Sequence, residues 1–320
     1  MTVRPLRIAT RGSRLARWQA EHVRRGIQHA NGAVAVELQV VQTMGDRITD
    51  VPLAAIGDRG LFTKEIDRHV LGGDADLAVH SLKDMPTVLD AGLRIVAVLA
   101  REDPRDALVA APGRPVSIDR LPRDASVGTS SLRRRAQLRA RRADLHLHDL
   151  RGNLDTRLGR IEAGDFDAAI VALAGLRRLG AVNVGVGLLE SPDWLPAAGQ
   201  GALAIAARAD DRRVAALCAP LDHAATRAAT TAERALLRAL EGGCQIPIGA
   251  LATVHEREIR MNAFVAGLEG RPLLRAEASG PADEPDRLGV ELAERLRAEG
   301  AEEILATIRA TATAPQPSAP

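Results

Sequence analysis

LRIATRGSRLARWQAEHVRRGIQHANGAVAVELQVV, Leu6 to Val41, decides the class of fold. LRIAT (Leu6 to Thr10) reads as a short strand. Ser13 is placed to cap a helix running to about His29, with Leu15, Trp18 and Val23 as its apolar positions. Asn31 and Gly32 stop that helix, and VELQVV (Val36 to Val41) follows as a second strand. Strand, helix and strand in this order predict a βαβ unit, and hence a mostly parallel sheet covered by helices.

The alternation continues outward. A Gly- and Pro-punctuated loop runs from Met44 to Gly60, Phe62 to Leu71 reads as a helix, and LAVH (Leu77 to His80) and LRIVAVL (Leu93 to Leu99) as strands. REDPRD (Arg101 to Asp106) is a polar, proline-bearing break suited to a hinge. A second α/β unit follows: ALVAA (Ala107 to Ala111), SVGTSSLRRRAQLRARR as a strand end entering a helix, LHLHDL (Leu145 to Leu150), a helix over about Leu154 to Ala163, and AAIVAL (Ala168 to Leu173). LPAAGQG (Leu195 to Gly201) breaks the pattern again, and GALAIAA (Gly201 to Ala207) is a strand able to return to the first sheet, with a helix over Asp211 to Leu217. From His223 the character changes. An alanine-rich helix (Ala224 to Leu240), the loop EGGCQIPIG, strands at Ala250 to His255 and Ile259 to Gly267, and an amphipathic helix from Asp286 to Glu299 predict a small α+β unit. TATAPQPSAP at the end reads as a disordered tail.

Composition narrows the function. The 320 residues are 46% hydrophobic and 26% charged with a net charge of +2, which is ordinary globular composition. Two cysteines, Cys218 and Cys244, make no disulfide framework. MTVRPLRIATRGSRLARWQ lacks the apolar core of a signal peptide, and the longest apolar stretches, such as Ala168 to Leu176, are too short to span a bilayer. A soluble cytoplasmic protein is expected. Of 43 basic residues only Lys64 and Lys83 are lysine. Codon bias accounts for most of the arginines, so a surviving lysine marks a position where a compact, tunable cation is needed.

Four segments carry chemistry. GTSSLRRR (Gly128 to Arg135) places hydroxyls and arginines at a helix start, where unsatisfied N–H groups favour an anion, although an ordinary serine cap with a solvated basic face also fits. LRGNLDTRLGR (Leu150 to Arg160) repeats the pattern, with Arg151 and Arg157 able to face one crevice. From Arg133 to Arg160 nine arginines meet three aspartates, an asymmetry that steers acidic ligands. Nucleic acid competes for that patch, but no nucleic-acid motif accompanies it, and the few aromatics supply no stacking platform. HSLKDMP (His80 to Pro86) sets Lys83 beside Asp84, as a carboxylate holder with an acceptor or as a plain surface ion pair, and His80 reads as a structural hydrogen-bonding residue. In EGGCQIPIG, Cys244 lies in a glycine-flexed loop fit for a nucleophile or an attachment point, whereas Cys218 reads as a buried thiol. No second ligand stands at zinc-like spacing, so no metal is expected.

Together RIATRGSRLARWQA, GLFTKE, DLAVHSLKDMP, REDPRDALV, VGTSSLRRRAQL, LRGNLDTRL, LPAAGQGALAI and TAERALLRALEGGCQIPIG resemble the porphobilinogen deaminase (hydroxymethylbilane synthase) family across nearly the whole chain. The resemblance implies an α/β fold of two periplasmic-binding-protein-like lobes around a cleft, plus a small C-terminal α+β domain. The implied division is 1–101 with 198–221, 102–197 and 222–310, with 311–320 as the tail. It further implies a dipyrromethane cofactor bound through a thioether to Cys244, and stepwise addition of four porphobilinogens with loss of ammonia, in tetrapyrrole (haem) biosynthesis. Each pyrrole brings an acetate and a propionate, and repulsion among these carboxylates requires fixed cations. Arg11, Ser13, Lys83, Arg133, Arg134, Arg151 and Arg157 match the family's carboxylate-binding positions, and Arg11, Arg151 and Arg157 are expected to reach substrate. Thr129 and Ser131 match hydrogen-bonding positions, and Asp84 matches the catalytic acid that accepts pyrrole N–H bonds and steadies the azafulvenium left when ammonia departs. Met44, Ala55 and Arg59 depart from the family, which often has an arginine and two lysines there, so no contact is assigned to them. Lys64 matches the family but has no evident physical role. A monomer with no nucleic-acid, membrane or metal partner is expected. The competing class, a cytoplasmic anion-binding protein of the same fold, fits the arginine-lined cleft but gives the cysteine loop no use.

Overall fold

The computed structural model describes residues 4–32, 34–43, 63–181, 184–241 and 246–313. The opening stretch forms β1 (Leu6–Arg11), α1 (Arg14–Asn31) and β2 (Val36–Val41), with β1 parallel to β2. Ser13 caps α1 by accepting from the Ala16 N–H, and Gly32 follows at φ +67°. Next come α2 (Lys64–Leu71), β3 (Leu77–Ser81) and β4 (Leu93–Val98), then β5 (Asp106–Ala110) beyond the REDPRD break. The second unit continues through β6 (Ser126–Gly128), α3 (Leu132–Arg141), β7 (His146–His148), α4 (Leu154–Glu162), β8 (Ala168–Ala172), α5 (Leu173–Leu179) and β9 (Gly185–Leu189). The chain then returns as β10 (Leu203–Arg208), followed by α6 (Arg212–Cys218).

The first sheet has the order β2-β1-β3-β10-β4, and β10 is antiparallel to both its neighbours. The second has the order β7-β6-β8-β5-β9, and there β5 is the antiparallel strand. In each lobe the reversed strand is the one laid down as the chain crosses from the other lobe. The returning-strand reading of GALAIAA thus holds, and both sheets are mostly parallel. Helices cover both faces. Leu6 and Ile8 pack with Ala20, Val23 and Ile27 of α1, while Ala9 and Ala78 pack with Ile66 and Val70 of α2 on the opposite side. Cys218 is fully buried, as read from the sequence, and burial pushes its thiol up to about 12.

The third unit is α7 (Ala224–Ala239), an antiparallel sheet β11 (Ile248–His255), β12 (Glu258–Ala266) and β13 (Leu273–Pro281), and helices α8 (Pro285–Ala298) and α9 (Ala301–Thr313). β13, α5, β9 and α9 are additions to the sequence reading. Leu173, expected to end a strand, instead opens α5 without any side-chain cap at Ala172, so no cap residue announced the helix. β9 was hidden by its glycines. An added Cβ at Gly187 would sit 1.6 Å from the Val116 carbonyl oxygen, so glycine is obligatory there. Helix α9 runs to Thr313, which corrects the start of the tail at 311; residues 314–320 lie outside the described residues.

Glu233 of α7 ties the third unit to both crossings between the lobes. Its fully buried carboxylate accepts from Arg101 Nη1 at 2.6 Å and Nη2 at 3.1 Å in the first crossing. It also accepts from the Gly199 N–H at 2.6 Å in the second crossing and from the Ala252 N–H at 2.8 Å in β11. Four donors compensate one desolvated carboxylate, and removing it strands the Arg101 charge. Glu233→Ala is expected to lose about 3–5 kcal/mol of stability in urea denaturation. Arg287→Ala, which breaks only exposed pairs with Glu284 and Glu291, should change the midpoint far less.

Candidate active site

β1 runs parallel to β3, and β6 to β7, so each pair ends at one edge of its sheet, and the candidate side chains follow those ends, where open α/β sheets place ligands. Arg11 is the last residue of β1 and is half-buried. Ser13, just beyond, commits its hydroxyl to capping α1 at 3.3 Å. β3 ends at Ser81, whose hydroxyl accepts from Gln19 Nε2 at 3.0 Å. A single 3-10 turn, Leu82–Asp84, then buries Leu82, half-buries Lys83 and exposes Asp84. His80 lies behind this turn, buried, with Nε2 3.0 Å from Asp67 Oδ1, so it is a structural residue as expected. Arg234 of α7 reaches across and donates to the Pro86 carbonyl at 2.6 Å and the Met85 carbonyl at 3.3 Å, which pins the chain just after Asp84.

At the facing edge, the Thr129 N–H donates to the His148 carbonyl, and Thr129 Oγ1 accepts from the Ser131 N–H at 3.3 Å. Ser131 occupies the cap position of α3 without a side-chain capping bond, and the Ser130 Oγ is buried with no partner. Asn153 caps α4 by accepting from the Thr156 N–H at 3.0 Å, and Arg157 Nε donates to the Gly152 carbonyl at 3.0 Å.

Arg133 and Arg134 are more deeply placed than the sequence reading gave them. Both are buried, and the carboxylate they hold is that of Asp106. Arg133 Nη1 lies 2.7 Å from Oδ2, Arg134 Nη2 2.7 Å from Oδ1, and Trp194 Nε1 donates to Oδ2 at 2.9 Å. Burial alone would raise the pKa of Asp106, but the two guanidiniums overcome it and hold the group well below the ordinary carboxylate range. Gln200 extends the cluster, donating to Asp106 Oδ1 at 2.9 Å and accepting from Lys83 Nζ at 3.3 Å. Neither Asp106 nor Gln200 was singled out from sequence. Each stands in a segment, REDPRD or LPAAGQG, that read only as a break.

Electrostatics tie the two edges together. Burial pushes the Lys83 ammonium down to about 8; Asp84 and Asp106 oppose the shift, while Arg134 and Arg133 add to it. Burial likewise brings Arg157 down to about 10, with Arg134 and Arg151 adding to the shift and Asp84 opposing it. Lys83, Asp84, Arg133, Arg134, Arg151 and Arg157 therefore share one neighbourhood, in which cations outnumber carboxylates. Cys244 and the positions Met44, Ala55 and Arg59 lie outside the described residues. Among the described residues no group of three or more His, Cys, Asp or Glu is placed to hold a metal, and no helix is long and apolar enough to cross a membrane.

Two doubly linked α/β lobes, whose strand ends bring these cations together, and a third α+β unit define a two-lobed protein of mixed α/β class. Residues 6–216 match the family profile described as porphobilinogen deaminase, dipyromethane cofactor binding domain, and residues 228–298 match porphobilinogen deaminase, C-terminal domain. The porphobilinogen deaminase of Moorella thermoacetica is 50% identical, covering 95% of this chain and 97% of that one. That of Chromobacterium violaceum is 49% identical, covering 95% and 97%. The chain belongs to the porphobilinogen deaminase family, which does not favour the stand-alone anion receptor. A solved domain of similar trace, the Bordetella pertussis BvgS VFT2 domain, is 15% identical over 68% of this chain and 86% of that chain, at a TM-score of 0.42.

The Lys83 shift has a sign that can be read out. Its folded pKa lies below the ordinary 10.5, so between about 8 and 10.5 the unfolded chain binds the extra proton. Through this group the ligand-free fold gains stability as pH rises across that window. Affinity for a carboxylate falls as pH rises through about 8, because the ammonium is then lost. Calorimetric titration with succinate between pH 6.5 and 9.5 should show that fall, and Lys83→Gln should remove it.

Proposed function

We propose that this chain joins four molecules of porphobilinogen into hydroxymethylbilane with release of ammonia, working on a dipyrromethane attached through a thioether to Cys244, in tetrapyrrole biosynthesis. The observation that carries the reading is the crowd of mutually repelling cations, Lys83, Arg151 and Arg157 with Arg133 and Arg134 behind them, around the exposed carboxylate of Asp84. Such a surplus is unfavourable alone and favourable once acetates and propionates arrive.

The residues present fit that cofactor. The Ser130 hydroxyl is buried without a partner at the start of α3, beside N–H groups suited to an anion. Lys83, Ser13, Thr129, Ser131, Arg151, Arg157 and Arg133 would hold its carboxylates, with Arg134, whose nitrogens already donate to Asp106 and the Ile170 carbonyl, adding its charge from behind. Arg11, Arg151 and Arg157 would hold those of substrate. When bound, the dipyrromethane supplies the nucleophilic pyrrole carbon on which the chain grows. Asp84 accepts the pyrrole N–H of the incoming unit and offsets the positive charge that develops as ammonia leaves. The fixed cations orient that unit and prevent repulsion among the accumulated carboxylates. The chain is read as 1–101 with 198–221, 102–197 and 222–310, acting as a cytoplasmic monomer without nucleic-acid or membrane partners.

Intact-mass measurement tests the reading directly. The protein as expressed should exceed its sequence mass by one dipyrromethane, and Cys244→Ser should lose both that mass and turnover. An unmodified wild-type chain that releases no ammonia from porphobilinogen would refute the reading. Asp84→Ala should retain the added mass while its rate falls by about 10²–10³, the usual loss for one preorganised electrostatic group.

A further inference from the structure

Gln200 lies in the second crossing between the lobes with no solvent exposure. Both ends of its amide are committed. Nε2 donates to the Pro104 carbonyl at 2.7 Å and to Asp106 Oδ1 at 2.9 Å, and Oε1 accepts from Lys83 Nζ at 3.3 Å. Turning the amide over would set an NH2 against an ammonium and an oxygen against a carboxylate, so the network admits one orientation. The backbone is held as well. The Gln200 carbonyl accepts from Arg101 Nε at 2.8 Å, and its N–H donates to the Ala197 carbonyl at 3.0 Å. Asp106 is itself fixed by Arg133, Arg134 and Trp194.

We propose that Gln200 is a positioning residue for the reaction: it aims the Lys83 ammonium into the cleft and, as a neutral acceptor, leaves that charge for a ligand carboxylate. An ammonium has three donors, and Gln200 takes one without neutralising it. A glutamate here would pair with Lys83 and cancel the cation that the ligand needs. Because Pro104 belongs to the first crossing and Gln200 to the second, the aim of Lys83 is set by the hinge itself. The charged groups that act on Lys83 are Asp84, Asp106, Arg133 and Arg134. The role rests on the carboxylate-binding function of Lys83 proposed above.

The chain has two lysines, so lysine labelled with ¹³C at Cε gives two side-chain signals, and Lys83 can be followed without substrate. Gln200→Met removes the acceptor and should lower the Lys83 titration midpoint. Gln200→Glu adds an opposing charge and should raise it, by roughly one unit or more. In both variants the calorimetric affinity for succinate, the carboxylate probe of Lys83, should fall on the order of tenfold. Intact mass reports cofactor loading alongside. Opposite midpoint shifts with the loss of succinate affinity support the role. Midpoints that stay put or move the same way would overturn it, as would an unchanged succinate affinity. Collapse of the fold in both variants would assign Gln200 to structure alone and overturn it equally. If the wild-type protein releases no ammonia, the proposed reaction fails, while the lysine titration still decides for or against Gln200.

Discussion

One buried carboxylate, Glu233, constrains the whole arrangement. A desolvated charge is tolerable only when its acceptor sites are filled, and its four donors come from both crossings and from β11. Both crossings and β11 must therefore be in place together for that charge to be stable. Asp106 has the same role nearer the cleft, gathering Arg133, Arg134, Trp194 and Gln200. The site is thus built outward from buried anions. Fixed carboxylates hold the inner arginines, and these help to depress Lys83.

The fold was largely legible because its strands obey simple rules. β1, β3 and β10 are buried on both faces and appear as short aliphatic runs, and α1 announces itself by a serine cap and a glycine stop. What stayed hidden lacked such signals. α5 begins without a capping side chain directly at the end of β8, and β9 is interrupted by glycines that a backbone carbonyl requires. β13 carries arginine and glutamate on its exposed positions while Leu274, Ala276 and Ala278 face the core, so its apolar side is thin.

The candidate site was legible as residue types but not as depth. Arg133 and Arg157 look alike in sequence, yet one is closed over Asp106 and the other sits half-buried at the start of the neighbouring helix. Nothing local distinguishes them, because the difference is made by Asp106, 27 residues upstream. Gln200 was invisible for the same reason, since a glutamine in a glycine-rich break has no pattern of its own. Lys83 stood out only because the rest of the chain uses arginine. Its depressed pKa is a property arginine would lose, since a guanidinium retains its proton under the same burial.

The crossing topology also orders the assembly of the chain in time. β5 to β9 of the second sheet lie within residues 106–189 and need nothing from outside that span to complete their ladder. The first sheet, although its strands begin at residue 6, has a gap between β3 and β4 that only β10, starting at Leu203, can fill. During synthesis the N-terminal strands must wait, with two ladder edges open, until the second lobe has emerged. The later lobe is thus able to complete its sheet before the earlier one, whose ladder is closed only by the strand that returns.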